Sequence, residues 1–347
     1  MDRLHRRAPQ RPRLYRAGPR RCRRPDVRNA LTLQAISFRN SNEGSSALRF
    51  IVADWGTTRF RGYLIENETV LDEVSSNEGV SALQKGQHRD VFSRQCGRWL
   101  EAEPDAPVLL VGMVGSREGW VEAPYATCPA GPAEIAQALV PVDLENGRKG
   151  YIIPGLFCEP APGTADVMRG EETLALGAGV ENGLICSAGT HPKWIAMKDG
   201  RIERFATYMT GEMYGLLREH SMIGRPATEP EDPKGFDLGI DAAERNSGEN
   251  RVGLLHLLFS ARAAVVSRRM DSNLLAPYLS GLLTGDEING ALAQFGRPSS
   301  VTILAEPGRA DLYVHALERH GIKAEIKVPQ QALIAGLARI VRQHALG

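Results

Sequence analysis

The strongest constraint on this fold is a repeat. The stretches IVADWGTTRFRGYLIENETV (51–70) and LICSAGTHPKWIAMKDGRIERF (184–205) follow one local order: apolar strand, Gly-Thr turn, second strand, tight turn, third strand. Gly56 and Gly189 stand 133 positions apart, and the tight turn falls ten and eleven residues beyond each, at Glu66-Asn67 and at Asp199-Gly200. A solenoid unit is roughly 20 to 50 residues long, so this longer period predicts two similar lobes rather than a stack.

The rest of the chain fits that division. The pattern predicts strands over 49–55, 60–66 and 69–75, a helix over about 88–101 and a buried strand in PVLLVGMVG. In the second copy a helix enters near Thr210. Three later stretches, GLLHLLFSARAAVVSRRM, LLAPYLSGLLTGDEINGALAQF and QALIAGLARIVRQHAL, carry helical spacing. VTILAEPGRADLYVHALERHGIKAEI reads as strand, Pro-Gly turn, helix from about Ala310 to His320, and strand. Alternating strands and helices give an α/β class. The first lobe is expected over 49–180 and the second over 181–347, with the last helix free to pack back on the first lobe. The helices of 274–295 could pair between two chains as a homodimer or fill the core.

Charge sets the first 48 residues apart. They hold 12 Arg and no Lys against 3 acids, a net +9, which leaves −8 on the remainder. The stretch lacks the apolar core of a secretory signal and reads as a disordered extension. Without a helix-turn-helix pattern, nucleic acid is not expected as a partner. Five cysteines, odd in number and without a CxxC pair, argue against a disulfide framework or zinc site and for a reducing, cytoplasmic compartment. Apolar runs fall short of the roughly 18 residues of a membrane span, so no membrane is expected.

The Gly-Thr turns carry the chemistry. Gly56 lets the backbone approach a ligand, its neighbouring N–H groups form an anion nest, and Thr57 and Thr58 add hydroxyl donors. Asp54 would repel a phosphate directly, so beside one its role is to hold Mg²⁺ through coordinated water. The second turn repeats Gly189 and Thr190 without an acid, and Lys193 could pair with a phosphate. Asp and Gly are also favoured at turns for purely local reasons. The P-loop signature and the G-x-S-x-G elbow are both absent.

A D-x-G-T-T turn on a three-stranded meander, repeated in a second lobe, resembles the actin, sugar kinase and heat-shock ATPase superfamily. Within it, ADWGTTRFRGYL, GMVGSREGWVEAPYATCPA, DVMRGEETLALGA, AGTHPKW and YLSGLLTGDEI are similar to the 2-dehydro-3-deoxygalactonokinases, in order and from about Arg49 to Arg342. The resemblance implies a two-lobed actin-like (ribonuclease H-like) fold with a nucleotide cleft. It also implies ATP- and Mg²⁺-dependent phosphorylation of 2-dehydro-3-deoxy-D-galactonate to its 6-phosphate.

Site roles follow from that likeness. Asp166 and Glu171 are the candidate bases, and Glu172 qualifies by type; acids in a first helical turn also simply complement the helix dipole. The substrate carboxylate suits a guanidinium, and Arg117 and Arg169 are the candidates. Glu78, Gly79, Trp120 and Tyr125 are expected to line the sugar pocket, with Trp120 equally readable as core. Gly308 is the candidate at the adenine turn, where Glu306-Pro307 departs from the expected small residue. Ala188 stands where the family has a proline before the Gly-Thr. The rivals are a kinase of another 2-oxo-3-deoxy sugar acid, a non-kinase ATPase of the same fold, and a sugar-responsive regulator.

Overall fold

RFIVADW, residues 49–55, is apolar on both of its alternating faces, and a strand of that kind belongs in the middle of a sheet. The structure, a computed structural model, describes residues 47–246 and 252–346; the Arg-rich extension read from the sequence lies outside them up to residue 46. β1 (Arg49–Trp55) is flanked by β2 (Phe60–Glu66) and β4 (Val108–Gly112). With β3 (Thr69–Ser76), β6 (Val140–Asp143) and β7 (Lys149–Ile152) they form a sheet of order β3-β2-β1-β4-β7-β6. Ile51, Ala53 and Trp55 face α1 (His88–Ala102), packing near Val91, Phe92 and Trp99. Phe50 and Val52 face the opposite way.

The second sheet repeats the plan. β10 (Gly183–Ser187), β11 (Lys193–Lys198) and β12 (Arg201–Thr207) form the meander, and β13 (Ser300–Leu304) and β14 (Lys323–Lys327) complete the order β12-β11-β10-β13-β14. In both sheets the first strand of the meander lies between the second strand and a parallel neighbour. The tight turns sit where expected, with Asn67 at φ 60°, Asp199 at 51° and Gly200 at 70°.

A third sheet was not read from the sequence. β5 (Ala126–Thr127), β8 (Leu156–Ala161) and β9 (Thr164–Met168) pair in the order β5-β8-β9, with α2 (Pro132–Gln137) between the first two in chain order. Strands of two to six residues with broken alternation leave little periodic signal. α5 (Lys234–Arg245) was also missed.

Two helices fill the space between the sheets. α3 (Glu171–Gly177) and α9 (Pro329–Leu346) cross at Gly177 and Gly336, and a Cβ at either would run into the other helix's backbone. Leu176, Leu337 and Ile340 share one core with Phe50 and Val52 of the first sheet and Ile185 and Ile195 of the second. The last helix therefore belongs to the core between the lobes. Arg339 donates to the Leu176 carbonyl at 2.7 Å, and Arg342 pairs with Glu68 at 3.3 Å.

α7 (Leu275–Phe295) and α8 (Pro307–Arg319) pack with α5 on the second sheet, and α4 (Thr210–His220) and α6 (Leu254–Val266) pack against α7. α7 packs on α5 through Gly239, Gly281 and Gly285 and has twelve buried residues, so the 274–295 segment fills the core. Among the described residues no helix is long and apolar enough to cross a membrane.

Candidate active site

The Trp55–Phe60 pair closes the first turn over residues 56–59, and the Gly56 N–H donates to the Arg59 carbonyl at 2.9 Å. The segment behind it carries the turn. Val80 and Ser81 N–H groups donate to the Gly56 and Thr57 carbonyls, both at 3.0 Å, and the Ser81 hydroxyl adds a 2.7 Å bond to the Thr57 carbonyl. Gly79 lies so close that a Cβ there would overlap the Thr57 and Thr58 backbone. Its place is behind the turn.

Asp54 faces Arg61 directly across the hairpin, 3.1 Å from Oδ2 to Nη2. Burial raises its carboxyl above the usual range, and the Arg61 guanidinium opposes that shift. Gly112, at φ 89°, ends β4 beside it; a Cβ there would stand 2.9 Å from the Trp55 carbonyl and 3.6 Å from Asp54 Oδ1. A glycine is required at that position.

The start of α3 brings three more groups. Gly170 has φ 107°, and its N–H donates to Glu172 Oε2 at 2.6 Å, while the Thr173 hydroxyl donates to Oε1 at 3.1 Å. Glu172 is fully buried, which together with the charge of Glu171 pushes its carboxyl up to about 8. Glu171 pairs with Lys193 at 2.9 Å and accepts the Arg169 N–H at 3.3 Å. The Arg169 guanidinium lies 4.5 Å from the Tyr125 ring centroid and donates from Nη2 to the Ala123 carbonyl at 2.7 Å. Its Nε and Nη1 are buried without a partner. Asp166 is engaged elsewhere, since Thr207 takes both of its oxygens, donating from the N–H at 2.6 Å and from the hydroxyl at 2.8 Å.

The Ser187–Lys193 pair closes the second turn over residues 188–192, one residue longer than the first. Gly211 of α4 backs it, where a Cβ would come within 2.8 Å of Thr190 Cα, and the Glu212 N–H donates to the Thr190 carbonyl at 3.1 Å. His191 contacts Glu212 at 2.6 Å. Lys193 is 6% exposed and spends its ammonium on Glu171 and the His191 carbonyl rather than on open solvent. Nearby, Glu306 precedes α8, and Arg309 Nη1 lies 4.0 Å from the Cβ position of Gly189. A Cβ at Gly308 would meet nothing within 4 Å.

A cleft of about 740 Å³ gathers Asp54, Gly56 and Thr57 with Arg169, Glu171 and, from the second half, Glu306. Thr58, Gly189, Thr190, Lys193 and Gly308 do not line it. Glu78 is held by Arg94, by Gln95 at 2.9 Å and by Ser76 at 3.2 Å. Arg117 lies on the surface, paired with Glu122 at 3.2 Å. Trp120 packs among Trp55, His88 and Phe92, so it reads as core. Tyr125 does not line the cleft and meets Arg169 through its ring face. Arg61 and Gly112 were missed by sequence reasoning, and Glu306, noted there only as a departure at the adenine turn, lines the cleft. Counting the hairpin register back from the turn would have placed Arg61 opposite Asp54.

Comparison with known proteins gives the family. The family model for 2-keto-3-deoxy-galactonokinase matches residues 54–340. This chain belongs to the 2-keto-3-deoxy-galactonokinase family. The 2-dehydro-3-deoxygalactonokinase of Escherichia coli (strain K12) is 33% identical over 300 residues, covering 86% of this family member and 98% of the relative. A Rhizobium meliloti (strain 1021) protein bearing the same enzyme name, DgoK1, is 34% identical over 299 residues, 84% of this chain and 96% of that one. A crystal structure from Sinorhizobium meliloti, described as a 2-dehydro-3-deoxygalactonokinase protein, superimposes with a TM-score of 0.72 at 33% identity, covering 84% of this chain and 98% of its own. The fold of this family member is that of the Sinorhizobium meliloti structure, and the family activity is that of a 2-keto-3-deoxy-galactonate kinase.

Proposed function

We propose that the chain transfers the γ-phosphoryl group of ATP to the 6-hydroxyl of 2-dehydro-3-deoxy-D-galactonate, in galactonate breakdown in the cytoplasm. The single observation that supports the sugar-acid half is Arg169. It lines the cleft and holds two buried guanidinium nitrogens with no partner. Leaving such donors unsatisfied costs about 1–3 kcal/mol each, a cost that a substrate carboxylate would remove. Gly115 makes room for it, since a Cβ there would stand 2.8 Å from Nη1.

Glu171 is the base in this reading, because it faces the cleft while Asp166 is bound at both oxygens to Thr207. Glu171 takes the proton of the attacking hydroxyl as the new P–O bond forms and the bond to the β-phosphate oxygen breaks, releasing ADP. Lys193 balances the charge of Glu171 before that step. Gly56, Thr57 and Thr58 bind phosphate on one side, and Gly189 and Thr190 on the other.

Mg²⁺ fits Asp54. The carboxylate is a hard oxygen donor on the cleft wall, with glycine rather than a side chain on its flank at Gly112. Among the described residues no cluster of three acidic, His or Cys ligands occurs, which suits an ion held largely by water and phosphate oxygens. Bound there, Mg²⁺ would neutralise phosphate charge.

The test is ADP release by the full chain with ATP and a panel of 2-oxo-3-deoxy sugar acids. The galacto acid should give the highest kcat/KM; a sibling acid winning would correct the substrate, and no turnover on any would overturn the reading. Arg169→Lys should raise the KM for the sugar acid about 10- to 100-fold, the value of a two-point charged contact, with the KM for ATP unchanged.

A further inference from the structure

Beneath the second turn lies a carboxylate that none of these steps uses. Glu287 of α7 is 2% exposed. Its Oε1 accepts Trp194 Nε1–H at 2.8 Å, the Tyr313 hydroxyl reaches both oxygens at 3.0 and 2.9 Å, and the Thr210 hydroxyl is a further donor. Each partner adjoins a part of the nucleotide side. Trp194 follows Lys193 at the exit of the turn. Thr210 precedes Gly211, whose backbone abuts Thr190. Tyr313 stands one helical turn along α8 from Arg309, the residue nearest Gly189 from that helix.

We propose that Glu287 is a positioning residue for the nucleotide, fixing β11, α4 and α8 to one another so that the second turn keeps its shape and its affinity for ADP and ATP. This rests on reading that turn as a phosphate clamp. An ionised carboxylate only accepts, so it alone satisfies three donors at once; a protonated one must turn one contact around.

Burial pushes the carboxyl up to about 7. The titratable groups facing it are Cys186 of β10, Tyr208 before α4 and Tyr313 of α8; Arg309 acts on Tyr313 and Asp286 on Tyr208. Cys186, Tyr208 and Tyr313 are all pushed upward by burial and by Glu287 itself, so they stay neutral through this range. Nucleotide affinity should therefore strengthen as pH rises through neutrality.

The experiment is calorimetric titration of the full chain with Mg·ADP from pH 6 to 8.5, comparing wild type, Glu287→Gln and Tyr313→Phe, with the KM for the sugar acid measured alongside. Glu287→Gln should weaken Mg·ADP about tenfold at pH 8 and keep only the pH dependence of ADP itself. Tyr313→Phe should weaken it about threefold, and the sugar-acid KM should stay within twofold in both. Wild-type affinity and an unchanged pH curve in Glu287→Gln would overturn the proposal. So would an equal rise in the sugar-acid KM, the sign of general loosening. Should Glu287→Gln fail to fold, Tyr313→Phe decides, and unaltered binding there is equally fatal. If wild type binds Mg·ADP yet phosphorylates no sugar acid, the kinase reading falls while this inference is still decided by the binding curves.

Discussion

The two Gly-Thr turns share a place in their meanders and differ in length and charge. Each leaves a central strand, and each is backed by a glycine that leaves no room for a side chain, Gly79 behind the first and Gly211 behind the second. The first turn keeps its ion pair inside its own hairpin, Asp54 with Arg61. At the matching offset in the second stands Ser187, and the nearest buried cation, Lys193, reaches across to Glu171 at the start of α3. The two meanders share the backing glycine and differ in their electrostatics. One turn offers an acid to the cleft, while the other ties its own exit to Glu171.

The largest effect should separate the two offsets. Asp54→Asn should lower kcat about 10³-fold, the upper end of what losing one preorganised charge costs, with the thermal midpoint near wild type. Ser187→Ala should change kcat less than threefold. Near-normal Mg²⁺-dependent turnover in Asp54→Asn would erase the distinction between the turns. Next, Lys193→Met should lower kcat about tenfold or more, because it strands Glu171 without its partner, and should leave the KM for the sugar acid nearly unchanged. Steady-state kinetics at saturating ATP reads this directly.

The backing glycines give a smaller, graded contrast. Gly79→Ala forces a methyl into the Thr57–Thr58 backbone, whereas Gly211→Ala meets Thr190 Cα at 2.8 Å. Overpacking of this kind costs about 1–3 kcal/mol. Denaturant unfolding should place Gly79→Ala at the high end of that range and Gly211→Ala at the low end, each raising the KM for ATP.

The smallest effect is on pH. In the first lobe His88 is 1% exposed, its two ring nitrogens have no partner, and burial lowers its pKa below 6.5. The unfolded chain then takes up the proton first, so the stability tied to a neutral His88 is full above about pH 6.5 and is lost as pH falls below it. In the second lobe Glu287, raised from 4.5 to about 7, acts the other way: its contribution is greatest below pH 4.5 and declines as pH rises towards 7. Thermal midpoints between pH 5 and 7.5 should therefore fall less steeply on the acid side in His88→Phe and decline less towards neutrality in Glu287→Gln.

Much of this architecture was legible because its signals are local. The meanders, their turns and the long helices follow from alternation, helical spacing and residues such as Asn67 and Gly200 that accept positive φ. The third sheet was hidden because its strands are too short to show a period. Site roles needed partners distant in sequence. Whether Asp166 faces substrate or braces the lobes depends on Thr207, 41 residues on, and nothing in TADVMRGEE announces that contact. Glu78 likewise looked available until α1 supplied Arg94 and Gln95. The cysteines seemed unrelated at 30 residues' separation, yet Cys128 and Cys158 meet side by side where β5 runs along β8.

In the proposed mechanism both turns serve one triphosphate, and a crystal structure of the full chain with Mg²⁺ and a non-hydrolysable ATP analogue tests that most directly. It should show phosphate oxygens within hydrogen-bond distance of backbone N–H groups in both 56–58 and 189–190, with the metal on the Asp54 side. A triphosphate resting on one turn alone, or the ion beside Ser187, would contradict it.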